Sequence, residues 1–174
     1  MVSVYVGIIG LVALERLAEL VVARRNATWS FANGGVEHGA EHYPFMVVLH
    51  TAFLVGALAE VVLLDRPWIP ALGVPCLVLA VLAQALRWWV ITTLGPRWNT
   101  RVIVIPGLAP VVGGPFRWLR HPNYLAVVVE GLALPLIHSA WGTALVFTVL
   151  NALLLRTRIT VEDRALGRLP EKAS

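Results

Sequence analysis

Two polar clusters break an otherwise apolar chain, and their side chains are of types that could bind a charged ligand together. The first is GPFRWLRHPNY, residues 114–124, which offers Arg117, Arg120, His121, Asn123 and Tyr124 in close succession. The second is RITVED, in which Arg158 precedes the acidic pair Glu162 and Asp163. Guanidinium groups take carboxylate or phosphate oxygens, and acidic side chains take hydroxyls or an amine. A ligand answering both carries an anionic group, hydroxyls or an amine, and a reactive end that reaches a lipid-soluble partner. S-adenosylmethionine has this character, and so does a nicotinamide dinucleotide. A Rossmann-type site for either is excluded, because no G-x-G-x-x-G follows a strand and VVGGP at 111–115 is no substitute. Interfacial anchoring, with snorkelling arginines and Trp118 and Tyr124 in an aromatic belt, accounts for the arginines and the aromatics. It leaves two acids, an asparagine and a histidine without a reason to converge.

Convergence requires folding. Of 174 residues, 58% are hydrophobic and 14% charged, which marks an all-α integral membrane protein of one domain, 1–174. Five apolar stretches, Val2 to Ala23, Tyr43 to Leu64, Ile69 to Leu94, Asn123 to Ser139 and Ala140 to Ile159, are candidate membrane helices. The first has no basic n-region before it and no small-residue cleavage site, so it reads as a retained helix. The last two are nearly continuous and read as a helical hairpin turning between Ser139 and Ala140. His121 and Arg158 are equidistant from that turn and so lie at equal depth, which puts the two polar clusters face to face at one membrane boundary. The segment 95–122 roofs them. Within it, Thr100 to Ile105 and Leu108 to Val112 flank Pro106-Gly107 and predict a small β-hairpin on the membrane surface.

Basic residues orient the chain. Arg24 and Arg25, then Arg97, Arg101, Arg117 and Arg120, then Arg156, Arg158, Arg164, Arg168 and Lys172 fall on one side, with Arg66 opposite. Positive residues in short loops stay cytoplasmic, so the expected topology is N-terminus out and C-terminus in, in the inner membrane of a bacterium. The net charge of +4 thus reflects a bilayer rather than nucleic acid. Cys76 stands alone, with no disulfide partner. Charges inside the stretches need partners, since each costs about 2.5–3.5 kcal/mol at the bilayer centre. Arg16 pairs with Glu19 at i,i+3, Glu60 reaches the interface, and Glu130 has no basic residue within one turn, so its partner comes from another helix or a ligand. His50 reads as a hydrogen-bonded core histidine or a functional group. His38 and His42 have a spacing too common to specify zinc, and no metal site is expected.

G-P-F-R-W-L-R-H-P-N-Y followed by R-x-x-x-E-D-x-x-L, Arg158 to Leu166, resembles the isoprenylcysteine carboxyl methyltransferase superfamily, which carries GPYRxxRHPxY and R-x-x-x-EE-x-x-L. Phe116 and Asp163 are its mild departures from that pattern. ERLAEL, ARRN, EHGAEHYP and the Leu49-His50 pair look similar to a small bacterial branch associated with type III polyketide synthases, whose members methylate long-chain alkylpyrone or alkylresorcinol hydroxyls. The resemblance implies S-adenosylmethionine bound by Gly114, Arg117, Arg120, His121, Asn123, Tyr124, Glu162 and Asp163. It implies Arg158 beside a lipophilic acceptor that enters from the membrane lipid, and it makes Glu130 the base if the acceptor is a hydroxyl. RHPxY also occurs in NADPH-dependent membrane lipid reductases, and a non-enzymatic lipid transporter or binding module is the third reading.

Overall fold

The computed structural model describes residues 1–168, so Lys172 lies outside the described residues. Five helices dominate: α1 (Val2–Ala32), α2 (Tyr43–Leu63), α3 (Pro70–Leu94), α4 (Pro122–Leu136) and α5 (Trp141–Ala165). Segments Ala40–Leu63, Pro70–Arg97 and Trp141–Ala165 are long and apolar enough to cross a bilayer, with mean hydropathies of 2.1, 1.8 and 1.5. α1 is longer still at 31 residues, but Glu15, Arg16 and Glu19 interrupt its apolar run. α4, with 15 residues, spans only about 22 Å at 1.5 Å per residue. The protein is an all-α integral membrane protein.

Its outer surface is a hydrocarbon surface. Leu11, Leu14, Leu17 and Val21 on α1, Val48, Val55 and Val62 on α2, and Leu145, Val149 and Leu153 on α5 are exposed at helical spacing. The opposite faces meet in a core of Tyr5, Ile9, Phe53, Ala57, Leu134 and Phe147. Close helix approach depends on small residues, as is usual where lipid offers no hydrophobic drive. A Cβ on Gly131 of α4 would lie 2.3 Å from Phe147 of α5, so only glycine fits there.

α4 and α5 form the expected hairpin, turning through Ile137 to Ala140 with Ser139 at φ +60°. No side chain of its own caps α5. Glu60 of α2 does so instead, accepting from the Gly142 and Thr143 amides at 3.0 and 2.7 Å while pairing with Arg66 at 2.8 Å. The helix N-terminus attracts the carboxylate because its first amides lack intrahelical acceptors.

The small antiparallel sheet is assembled differently from the local hairpin that the Pro106-Gly107 turn predicts. β2 (Val102–Val104) pairs with β1 (Val36–His38), Val36 opposite Val104 and His38 opposite Val102, and 108–112 forms no strand. The two connections at the arginine-rich end are thereby stitched together. Arg101 reinforces the joint, 3.3 Å from Glu37 and with its guanidinium 5.0 Å from the centre of the Tyr43 ring.

Candidate active site

His121 is the residue before α4, and Pro122 at the first helical position begins the helix at no hydrogen-bonding cost. Tyr124 follows just inside the first turn. Arg158 and Glu162 are one turn apart on α5 and share a face. The hairpin brings these groups together: the Tyr124 hydroxyl donates to Glu162, and His121 Nδ1 lies 3.6 Å from the other Glu162 oxygen. His121 Nε2 is 3.3 Å from Asp163, which also takes Arg168 at 3.2 Å. The Tyr124 ring stacks on the imidazole, with centroids 5.5 Å apart. Glu162, and after it Asp163, holds the His121 pKa above the ordinary histidine value, outweighing partial burial.

Beside this cluster a cavity of about 180 Å³ is enclosed by α3, α4, α5 and the segment 95–122. Asn123, Tyr124, Arg158 and Glu162 line it from below, Trp98 and Asn99 from the roof. The roof is tied down on three sides. Asn26 of α1 donates to the Trp98 carbonyl at 2.8 Å, Arg158 donates to the Thr100 carbonyl at 2.9 Å, and β2 pairs with β1. Trp98 Nε1, Asn99 Oδ1, Asn123 Oδ1 and Arg158 Nε are buried with no hydrogen-bond partner among the described residues. Buried polar atoms are rarely left so, and a ligand with donors and acceptors would satisfy them.

The structure does not gather every residue of the two motifs at the cavity. Arg120 lines it. Gly114 lies off it, at φ +54° in a tight turn against α3, where a Cβ would come within 2.4 Å of Thr93 Oγ1. Its glycine is therefore required by the turn. Arg117 is solvent-facing, its guanidinium 5.6 Å from the Trp118 ring centre. Asp163 is buried behind His121 rather than in the lining. Trp98 and Asn99 are the residues that the motifs did not announce, since a loop Trp-Asn carries no spacing signal. Among the described residues no three His, Cys, Asp or Glu side chains gather as a metal site.

The model of the isoprenylcysteine carboxyl methyltransferase (ICMT) family matches residues 76–168, from the second turn of α3 through both polar motifs. The chain belongs to this family. It is a methyltransferase family whose enzymes use S-adenosylmethionine. A second comparison reaches further: the uncharacterized protein YpbQ of Bacillus subtilis (strain 168) is 39% identical over 160 residues, covering 91% of this chain and 94% of that protein.

Deeper in this ICMT-family chain lies a second polar layer, in which α1 residues before the matched segment meet residues of α3 and α4 within it. Arg16 lies 2.6 Å from Glu19 and 3.6 Å from Glu130, and it donates to Gln84 at 2.8 Å. Arg87 of α3 pairs with the other Glu130 oxygen and lies 3.8 Å from Glu19. Gln84 and Trp88 both donate to Glu15. The partner of Glu130 thus comes from another helix. A small cavity of about 20 Å³ abuts this network, lined by Arg16, His50, Arg87, Glu130 and Phe147.

Proposed function

We propose that this protein transfers a methyl group from S-adenosylmethionine to a carboxylate or hydroxyl oxygen of a lipophilic acceptor, a long-chain polyketide or prenyl-type lipid. The observation that carries the reading is the meeting of His121 and Tyr124 with Glu162 beside a cavity of unpartnered polar atoms, within the segment that matches a methyltransferase family. The arginine count supports a cytoplasmic site, with the N-terminus outside a bacterial inner membrane.

When bound, the donor supplies an electrophilic methyl group on a sulfonium. Glu162 receives the donor's hydroxyl or amine groups, and His121 and Tyr124 hold that carboxylate in place. Asn123, Asn99 and Trp98 offer the remaining donors and acceptors, while Arg120 stands at the rim for an anionic group. Arg158 is fixed between Thr100 and the cavity, beside the acceptor end. The tied roof covers the cavity on one side, and the rate gain from an aligned site needs reacting atoms held within about 3–3.5 Å. Val90 and Tyr124 line the larger cavity, and Arg87 and Val127 line the smaller one a turn deeper on the same two helices. An acceptor entering from the lipid thus reaches the donor along the α3–α4 wall, past Glu130.

Titration calorimetry on detergent-purified protein tests the reading. S-adenosylmethionine binds saturably and NADPH does not. Each variant, His121→Ala or Glu162→Gln, removes a charge-assisted contact of about 1.5–3 kcal/mol and weakens binding by about 10–150-fold with the fold intact. Binding of NADPH in place of S-adenosylmethionine, or unchanged affinity in both variants, removes the assignment.

A further inference from the structure

Methyl transfer to a hydroxyl leaves a proton that must go somewhere, whereas a carboxylate acceptor needs no base. Glu130 faces the small cavity, but Arg87 takes one of its oxygens and Arg16 stands 3.6 Å from the other. Both are committed to guanidiniums. His50, on α2, lines the same cavity and is differently placed. Its Nδ1 lies 2.9 Å from the Met46 carbonyl oxygen. A carbonyl only accepts, so the ring proton is on Nδ1 and Nε2 is left as the bare basic nitrogen. Nε2 makes no hydrogen bond among the described residues. Phe147 holds the ring edge-to-face, with centroids 5.3 Å apart.

We infer that His50 takes the proton of a hydroxyl acceptor whose hydroxyl group reaches the small cavity between α2, α3 and α4, which has room for a single water-sized group. The inference rests on the methyl-transfer reading and names its acceptor class, a membrane-soluble phenol or enol. The acceptor O–H bond breaks and its proton passes to Nε2. The oxygen forms a bond to the methyl carbon, and the C–S bond breaks with its electron pair left on sulfur. The positive charge lost from the sulfonium thus reappears on the imidazole.

Charged groups from three helices stand near His50. α1 brings Arg16 and α3 brings Arg87 to the cavity lining, α4 brings Glu130, and α5 brings the uncharged Phe147. Behind them Glu15 and Glu19 pair with Arg16, so the wider network of three carboxylates and two guanidiniums carries one negative charge when all are ionised. Lining residues of the two cavities come within three positions of each other on α3, Arg87 and Val90, and on α4, Tyr124 and Val127, a rise of about 4.5 Å along each helix.

The test uses the full chain in nanodiscs, labelled S-adenosylmethionine and three probes: pentadecylphenol, a nitro-substituted analogue already ionised at the assay pH, and palmitate. His50→Gln lowers kcat on pentadecylphenol by about 100-fold or more, the span of general-base catalysis. KM, S-adenosylmethionine affinity and turnover of the ionised analogue change by less than about fivefold. The acidic limb of the wild-type kcat/KM profile on pentadecylphenol disappears in the variant. Equal losses on the neutral and ionised phenols overturn the inference and leave the methyl-transfer reading standing, as does wild-type transfer to palmitate alone. Wild-type transfer to none of the three sinks the methyl-transfer reading itself. If His50→Gln and His50→Asn both fail to fold, nitrogen-labelled histidine NMR on the wild type decides. An unprotonated Nε2 whose resonance moves on adding pentadecylphenol supports the inference, and a protonated Nε2 or an unmoved one overturns it.

Discussion

The ion network around Arg87 sets up a quantitative asymmetry. With every group in its ordinary charge state, Glu15, Glu19 and Glu130 outnumber Arg16 and Arg87 by one. Arg87→Met removes the partner of Glu130 and a neighbour of Glu19 3.8 Å away, leaving three carboxylates, two of them buried, with one guanidinium. Breaking a buried pair in this way costs about 3–5 kcal/mol, because a charge is left uncompensated. Glu130→Gln runs the other way. Two carboxylates then face two guanidiniums, Arg16 keeps Glu19 at 2.6 Å, and the loss is that of one hydrogen bond to a charged group, about 1.5–3 kcal/mol. At about 2–4 °C per kcal/mol for a chain of this length, the expected drops in Tm are about 6–20 °C for Arg87→Met and about 3–12 °C for Glu130→Gln. The double variant restores the single negative excess and melts above Arg87→Met alone. Cys76, the one cysteine and 7% exposed, makes the assay simple, since a thiol-reactive fluorogenic dye reports unfolding directly. If Glu130→Gln melts as low as Arg87→Met, or if the double variant melts at the sum of the two losses, the charge-counting argument is refuted.

Two further perturbations separate the ends of the molecule. His121 has its folded pKa raised by Glu162, so its contribution to stability is full below the unfolded histidine value of about 6.5 and is lost as pH rises through the higher folded value. Wild-type Tm therefore falls across that window, and His121→Gln flattens the fall; an equal slope in both proteins discards the ion-pair role of His121. At the opposite end, Glu60→Ala strips the cap of α5 and costs about 0.5–2 kcal/mol. S-adenosylmethionine affinity stays unchanged, because the cap and the donor cavity share no residue, and a parallel loss of affinity would contradict that separation.

The sequence exposed the site through a symmetry that needs no tertiary knowledge. A turn at Ser139 and Ala140 is equidistant from His121 and Arg158, and two antiparallel helices at constant rise must then align those residues. The structure brings the clusters together about a turn out of that register: Tyr124, nearer the turn than His121, meets Glu162, farther from it than Arg158. The sheet was not legible for the converse reason. Val102 to Val104 shows strand character, but its partner Val36 to His38 is too short to show any, and nothing local favours it over Leu108 to Val112. The reason for a glycine at 114 was not legible either. Its conformation answers to Thr93 on α3, a long-range contact that spacing cannot reveal. For Glu130 the sequence dictated that a partner exist and left its identity open, since Arg87 is chosen only when α3 packs on α4. Trp98 and Asn99 enter the cavity because α1 and α5 tie down the roof, and neither tie has a local signature.

The depth of the charged layer is itself an argument about function. Helix association at this level is already served by small residues, with Gly131 against Phe147 and Ala80, Ala83, Ala126 and Ala133 buried at the helix contacts. Each charge placed there costs about 2.5–3.5 kcal/mol on insertion, and a well-packed apolar core would be at least as stable as a buried ion network. Stability therefore does not explain five charges summing to one excess negative. The methyl transfer proposed above, from a sulfonium to a neutral hydroxyl, would give them a role, because it consumes a cation and releases a proton. A network one negative charge in excess, beside a histidine whose Nδ1 faces the Met46 carbonyl, would hold that charge within the site until the product leaves.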